Sequence, residues 1–492
     1  MKNRLEKTDV PMLLSEIAGM GSAGSAEAEP DDRFLESYLP VPDHARALEP
    51  EVFLIIGERG AGKTELFRAI QKPEGREAIR DLASDRGSHL ERSAWYVGYS
   101  SSGVQYPAAL VFRQFSRDRQ PSDLQLIWLG LLMRCLRLNH VVADSLPASL
   151  DTVLLSSSVV LGDLFGEVQK SLSTCFDILD RTDVRLLGED KWVFLTYDEL
   201  DRISAGDWSE LQTILRGLVQ FWASYCRRWK RIRPKIFLRR DLFSRVALFG
   251  PDVSKIAAQR VELAWSAKNI YALLMKRMVN KSEQLRQYFD PVLPSGKEVA
   301  DLGWCPIAGR AEDYRKPIER LCGRYMGANP SKGMTFSWIP NHLQDGYGRV
   351  LPRSVVRLFE SAAEIEITNR RASWPVLLHH ASLRAAVDQV SVSRVQEIED
   401  EEFPWMRTVR NHLAAQRPRL QVPVERRDLE RALRIDWSSV AEVPPETSGH
   451  GIVQFLMDLG IVYVRGDGRL DARDLYLKGF GLKRKGGVAR PD

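Results

Sequence analysis

Gly57-Glu58-Arg59-Gly60-Ala61-Gly62-Lys63-Thr64-Glu65 has the residue types and spacing of a phosphate-binding loop, the Walker A pattern Gly-x-x-x-x-Gly-Lys-Thr. Three glycines let the backbone bend so that successive N–H groups point inward, and no Cβ blocks a phosphate chain. Lys63 supplies a point charge for the β- and γ-phosphates, and the Thr64 hydroxyl can ligate Mg²⁺. A second constellation lies at Asp198-Glu199, after the apolar run Trp192-Val-Phe-Leu-Thr-Tyr197. Asp198 at the end of a buried strand is expected to hold Mg²⁺ through water, and Glu199 to orient and activate the attacking water. The bland reading of the two acids is a cap on the following turn. Together the two stretches predict binding of a nucleoside triphosphate.

These groups need elements that hold them in place. Val52-Phe-Leu-Ile-Ile56 reads as a buried strand, and Thr64 to about Gln71 as the helix whose positive end faces the phosphates. Ala94–Gly98 and Ile236–Leu238 are further strands, and an acid at the end of a parallel strand lies where ligands of open α/β sheets bind. Helical patterns cover Leu124–Leu138, whose faces are mostly apolar, then Leu161–Leu179 and Trp208–Trp222. Others cover Ala267–Tyr288, Leu351–Ile365 and Ser382–Ile398. Phe34–Leu39 reads as a short helix at the edge of the nucleotide domain, and Gly19–Pro30 as structureless by composition. Near the C-terminus, helices Val424–Leu433 and Gly451–Leu459 precede a hairpin, Ile461–Val464 to Arg469-Leu470, the order of a winged helix. The tail from Lys478 to Gly487 is basic and expected to be flexible.

A chain of 492 residues exceeds one compact core. A net charge of +5 is small for that length and does not by itself argue for nucleic acid, although Arg227–Lys235 is a basic cluster. Five widely spaced cysteines without a C-x-x-C pair exclude a disulfide framework and a zinc ribbon, and fit reduced thiols in the cytoplasm. No signal peptide is visible, and no apolar run approaches a membrane span. Asn280-Lys281-Ser-Glu283 departs from the guanine-reading N-K-x-D element in its Glu and in lacking a preceding strand, which leaves a GTPase weakly supported. Nothing has the pattern of a second active site.

Both Walker stretches, the strand ending in Arg239-Arg240-Asp241, Leu351-Pro-Arg353-Ser and the terminal hairpin resemble AAA+/STAND-type P-loop ATPases of the additional-strand class. The layout is initiator-like, of the kind found in bacterial mobile elements and antiphage defence clusters. The resemblance spans about Leu48 to Leu482 and implies an α/β P-loop core with a parallel sheet, a helical lid and a C-terminal winged helix. It implies ATP and Mg²⁺ as cofactors and an oligomer closed by an arginine acting across subunits. Arg239 or Arg240 stands where the sensor residue belongs; an ion pair with Asp241 or Asp198 is the alternative. Arg353 is placed as the lid arginine, or as a solvated helix-start residue. About 135 residues between Lys63 and Asp198 demand a helical insertion, and Arg-Arg-Asp replaces the usual Asn or Thr sensor.

The expected organisation is 1–48 as a partly flexible N-terminal segment, 49–290 as the ATPase core, 291–415 as lid and linker, and 416–492 as the winged helix. The first expected function is an ATP-driven switch that controls a separate effector protein. The alternative is a DNA-directed ATPase using the winged helix and the basic stretches. Against base reading, Gly451-Ile-Val-Gln-Phe-Leu-Met-Asp-Leu459 is apolar and acidic, unlike a major-groove helix.

Overall fold

The computed structural model describes residues 10–21, 33–82, 88–101, 105–117, 119–203, 208–246, 259–307, 309–369 and 376–486. Most of the Gly19–Pro30 stretch therefore lies outside the described residues. Internal packing divides the chain into two compact units, Pro40–Ala264 and a second unit built from residues 1–39 and 265–492.

The Pro40–Ala264 unit is a mixed α/β fold around five parallel strands: β1 (Leu54–Gly57), β2 (Ser93–Tyr99), β3 (Trp192–Tyr197), β4 (Ile232–Arg239) and β5 (Arg260–Glu262). Their order is β2-β3-β4-β1-β5, so one strand stands between the phosphate-loop strand and the strand bearing Asp198. That is the additional-strand arrangement expected from the sequence. β1 is buried throughout, as its unbroken apolar run requires of a parallel strand covered on both faces.

The expected insertion between β2 and β3 consists of helices Ala109–Ser116, Pro121–Leu138, Ala148–Leu155, Leu161–Lys170 and Leu172–Gly188. The single helix expected over Leu161–Leu179 is thus two, broken at Ser171. Pro121–Leu138 is its core element and packs against Trp208–Tyr225. A Cβ at Gly217 would come within 2.7 Å of Leu124 Cβ, so the close approach of these two helices needs glycine there. Tyr99, Trp128, Tyr197 and Trp222 are fully buried and touch ring to ring, tying the insertion to β2 and β3.

The basic stretch Arg227–Lys235 is largely consumed by the fold, because β4 starts inside it. Asp183 accepts hydrogen bonds from the backbone N–H groups of Lys230, Arg231 and Ile232 at 2.8, 2.6 and 3.0 Å. Arg228 forms a fork on Asp180, Arg231 lies over the Trp192 ring and pairs with Asp190, and Arg233 donates to the Cys226 carbonyl. Lys235 is wholly buried and donates to the carbonyls of Ala47, Glu49 and Val52. Arg227 and Lys230 remain exposed.

In the second unit, helix Val10–Ala18 packs on Pro352–Asn369, which lies along His380–Glu401. Phe34–Ser37 packs on Ala267–Lys281. Ala267–Lys281 also packs on Glu283–Phe289 and on the strand Gly303–Pro306, and this part of the unit begins at Trp265. Asn280 fixes this corner: its Nδ2 donates to the carbonyls of Glu36, Leu302 and Trp304, and its Oδ1 accepts from Trp304 N. An asparagine so used is structural, which removes the guanine-reading element. The C-terminal helices Arg426–Ala432 and Gly449–Asp458 precede the antiparallel pair Val462–Val464 and Leu470–Ala472. Contrary to the expected flexibility, the described part of the basic tail is packed: Phe480 is buried, Lys483–Arg484 pairs with Gln421–Val422, and Arg484 binds Asp471 and Asp474. All five cysteines are free and buried, and no helix among the described residues is long and apolar enough to cross a membrane.

Candidate nucleotide site

β1 ends at Gly57, and the turn that follows reaches the helix Lys63–Gln71 through Gly60 at φ 81° and Gly62 at φ 89°. Both angles lie in the left-handed region, so the spacing of the glycines is a steric demand of this turn. Lys63 is half-buried and its Nζ donates to the carbonyls of Gly57 and Glu58, each at 2.9 Å. Burial lowers its pKa; Asp198 and then Asp201 oppose that, and Arg239 adds to it. Thr64 follows in the first turn, also half-buried, as are Glu58, Arg59 and Glu65.

Asp198 stands directly after β3 at 4% exposure, and its Oδ2 has no hydrogen-bond partner among the described residues. Burial pushes its carboxyl up to about 7, against the pull of a backbone N–H and of Lys63. An orphaned, buried carboxylate oxygen near a lysine is suited to a hard cation that keeps several other oxygen ligands. No cage of three His, Cys, Asp or Glu side chains exists among the described residues, and this kind of site needs none.

Glu199 adopts φ 55°, and its side chain is held firmly. Oε2 accepts from Ser100 Oγ at 2.8 Å, Ser101 N at 3.1 Å and Ser101 Oγ at 2.8 Å, while Oε1 pairs with Arg202 at 2.8 Å. The serines follow β2, whose pairing of Tyr99 with Tyr197 brings them beside the end of β3. Sequence reasoning missed them; their signal was two hydroxyls just beyond an apolar strand.

Arg239 pairs in register with Gly57, at the end of the strand next to the phosphate loop. Its guanidinium forms a fork on Asp241, one of the two acids expected for an ion pair, and its Nη1 reaches Asp201. Arg240 bridges Glu58 and Glu262. Arg353 belongs to the second unit, where it lies 3.9 Å from Glu397, a carboxylate shared with Arg357 and Arg394.

No family model and no curated protein matches the chain. Among solved structures it is similar to Cdc6p from Pyrobaculum aerophilum, with 12% identity, 87% of this chain and 86% of that one covered, and a TM-score of 0.28. It is also similar to the Aeropyrum pernix ORC2 protein, solved as ADPNP–ADP complexes (15% identity, 86% and 84% covered, TM-score 0.37). The Aeropyrum pernix ORC1 protein in complex with DNA is a third (14% identity, 90% and 93% covered, TM-score 0.33).

Proposed function

We propose that the chain is an ATP-binding and ATP-hydrolysing switch of the AAA+ type. The observation that carries the reading is the glycine-bent loop with Lys63 and Thr64 after β1 and the orphaned Asp198 Oδ2 after β3, two parallel strands of one sheet with β4 between them. Thr64 and Asp198 would hold Mg²⁺, which supplies charge neutralisation on the phosphate oxygens. Lys63 exchanges its two carbonyl partners for the β- and γ-phosphates. Glu199, once released from Ser100, Ser101 and Arg202, orients the attacking water and accepts its proton. Arg239, Arg240 or Arg353 supplies cationic stabilisation as charge shifts onto the β-phosphate of the departing diphosphate. The resemblance in the motifs adds assembly through the ATP interface.

For the output we place a DNA-directed ATPase first. Arg427 and Arg431 are exposed on helix Arg426–Ala432, and Arg417, Arg419 and Arg434 are exposed in the flanking segments, which favours phosphate-backbone contact through a winged-helix module. Control of a separate effector, in an antiphage setting, is the second reading. The exposed groups of helix Gly449–Asp458 are His450, Gln454 and Asp458, a set suited to protein docking as much as to base edges. Steady-state ATP turnover with and without duplex DNA, at low and moderate salt, separates the two. Stimulation that fades with salt supports the first, and turnover indifferent to DNA supports the second. Lys63→Ala serves as the control, and retained nucleotide binding in it defeats the whole proposal.

A further inference from the structure

The Arg239 guanidinium is engaged unequally by two carboxylates. Asp241 takes it bidentately, Nε to Oδ1 at 3.1 Å and Nη2 to Oδ2 at 2.8 Å. Asp201 receives only Nη1, at 3.4 Å. A planar fork on one carboxylate sets both the direction and the plane of the guanidinium, whereas a single long contact fixes neither. The surroundings differ as well: the Asp241 side chain is 15% exposed and that of Asp201 30%, on the short turn Leu200–Arg202 after Asp198-Glu199. Arg239 itself is 7% exposed and in register with Gly57. A buried arginine beside a phosphate loop needs a counter-anion when no phosphate is present.

We propose that Asp241 is a positioning residue that aims Arg239 at the phosphate chain, and that Asp201 is a resting counter-anion which the terminal phosphate of a nucleoside triphosphate replaces. The inference rests on the nucleotide-binding reading above. It makes the Arg239–Asp201 contact a discriminator between triphosphate and diphosphate, since a diphosphate leaves no anion at the terminal position. Asp201 then competes with the triphosphate, and Asp241 assists it. The two acids flank one arginine yet act with opposite sign.

The test measures dissociation constants of the full chain for a non-hydrolysable ATP analogue and for ADP, with Mg²⁺, in the wild type, Asp201→Asn and Asp241→Asn. Asp201→Asn is expected to bind the analogue about three- to tenfold more tightly, with ADP affinity unchanged. Asp241→Asn is expected to weaken the analogue about tenfold, leave ADP within about twofold, and lower kcat more than it raises KM. Asp201→Asn that weakens the analogue, or shifts both nucleotides equally, overturns the place-holder role. An unchanged analogue-to-ADP ratio in Asp241→Asn overturns the positioning role. Loss of both nucleotides together with a lowered melting midpoint in Asp241→Asn also counts against positioning, and Asp201→Asn then decides on the partly exposed partner. A wild-type protein that binds neither nucleotide defeats the nucleotide reading itself, an outcome distinct from either of these.

Discussion

Asp198→Asn is expected to stabilise the nucleotide-free protein while removing its response to magnesium nucleotide. Asp198 is 4% exposed, with Oδ2 unpartnered among the described residues, and burial raises its pKa from 3.8 to about 7. Between those two values the folded protein keeps a proton that the unfolded chain has released. Stability therefore falls as pH rises through that window, and the loss is complete above about 7. Taken whole, the shift corresponds to ~4 kcal/mol. The asparagine does not recover all of it, because Lys63 loses the carboxylate that most opposes its own desolvation and the amide brings a donor of its own. A net gain of about 1–2 kcal/mol above neutrality is the working figure. It should shrink by about 2 kcal/mol, to nothing or to a slight loss, when melts at about pH 8.5 are repeated at about pH 5.5. With two compact units, the transition to follow is the one that nucleotide shifts. Added magnesium nucleotide should reverse the order, raising the wild-type midpoint and leaving that of the variant in place. A variant destabilised equally at both pH values would refute the argument, since burial would then not be penalising the carboxylate charge.

Glu199→Gln should bind ATP normally but hydrolyse it ~10²–10⁴-fold more slowly in a phosphate-release assay, and normal turnover would exclude Glu199 as the base. Arg353→Ala should lower turnover or ATP affinity, and its lid role fails if both are unchanged. Asn280→Ala removes the hydrogen bonds to Glu36, Leu302 and Trp304 and should destabilise the second unit by about 2–4 kcal/mol in denaturant melts. Its ATP-over-GTP preference should stay as in the wild type; a switch in preference would restore the guanine reading.

The readable parts of the site were those built from neighbours in the chain. The left-handed angles of Gly60 and Gly62 are satisfied within one turn, and the helix starting at Lys63 follows directly from it. The apolar run of β3 and its terminal Asp198 likewise occupy one short segment. What stayed hidden depends on partners distant in sequence. Glu199 is held by Ser100 and Ser101, nearly a hundred residues earlier, and nothing near Glu199 announces them. Arg227–Lys235 has the composition of a nucleic-acid track, yet Asp180, Asp190, the Cys226 carbonyl and the carbonyls of residues 47–52 take up most of its basic side chains. A charged side chain has the same composition whether it faces solvent or a buried acceptor, so only the fold distinguishes the two.

Sequence by itself determined the phosphate loop, the acids Asp198 and Glu199, an insertion between them and the succession of helices ending in a hairpin. Each of these is encoded by backbone sterics or by hydrophobic period over a few residues. Tertiary structure decided the strand order β2-β3-β4-β1-β5, the packing of Phe34–Ser37 on the second unit, and the anchoring of the basic tail by Asp471. It also decided that Arg239 rests between Asp241 and Asp201. Strand neighbours and counter-ions are chosen by which surfaces close over one another, and that choice belongs to the chain as a whole and not to any window of it.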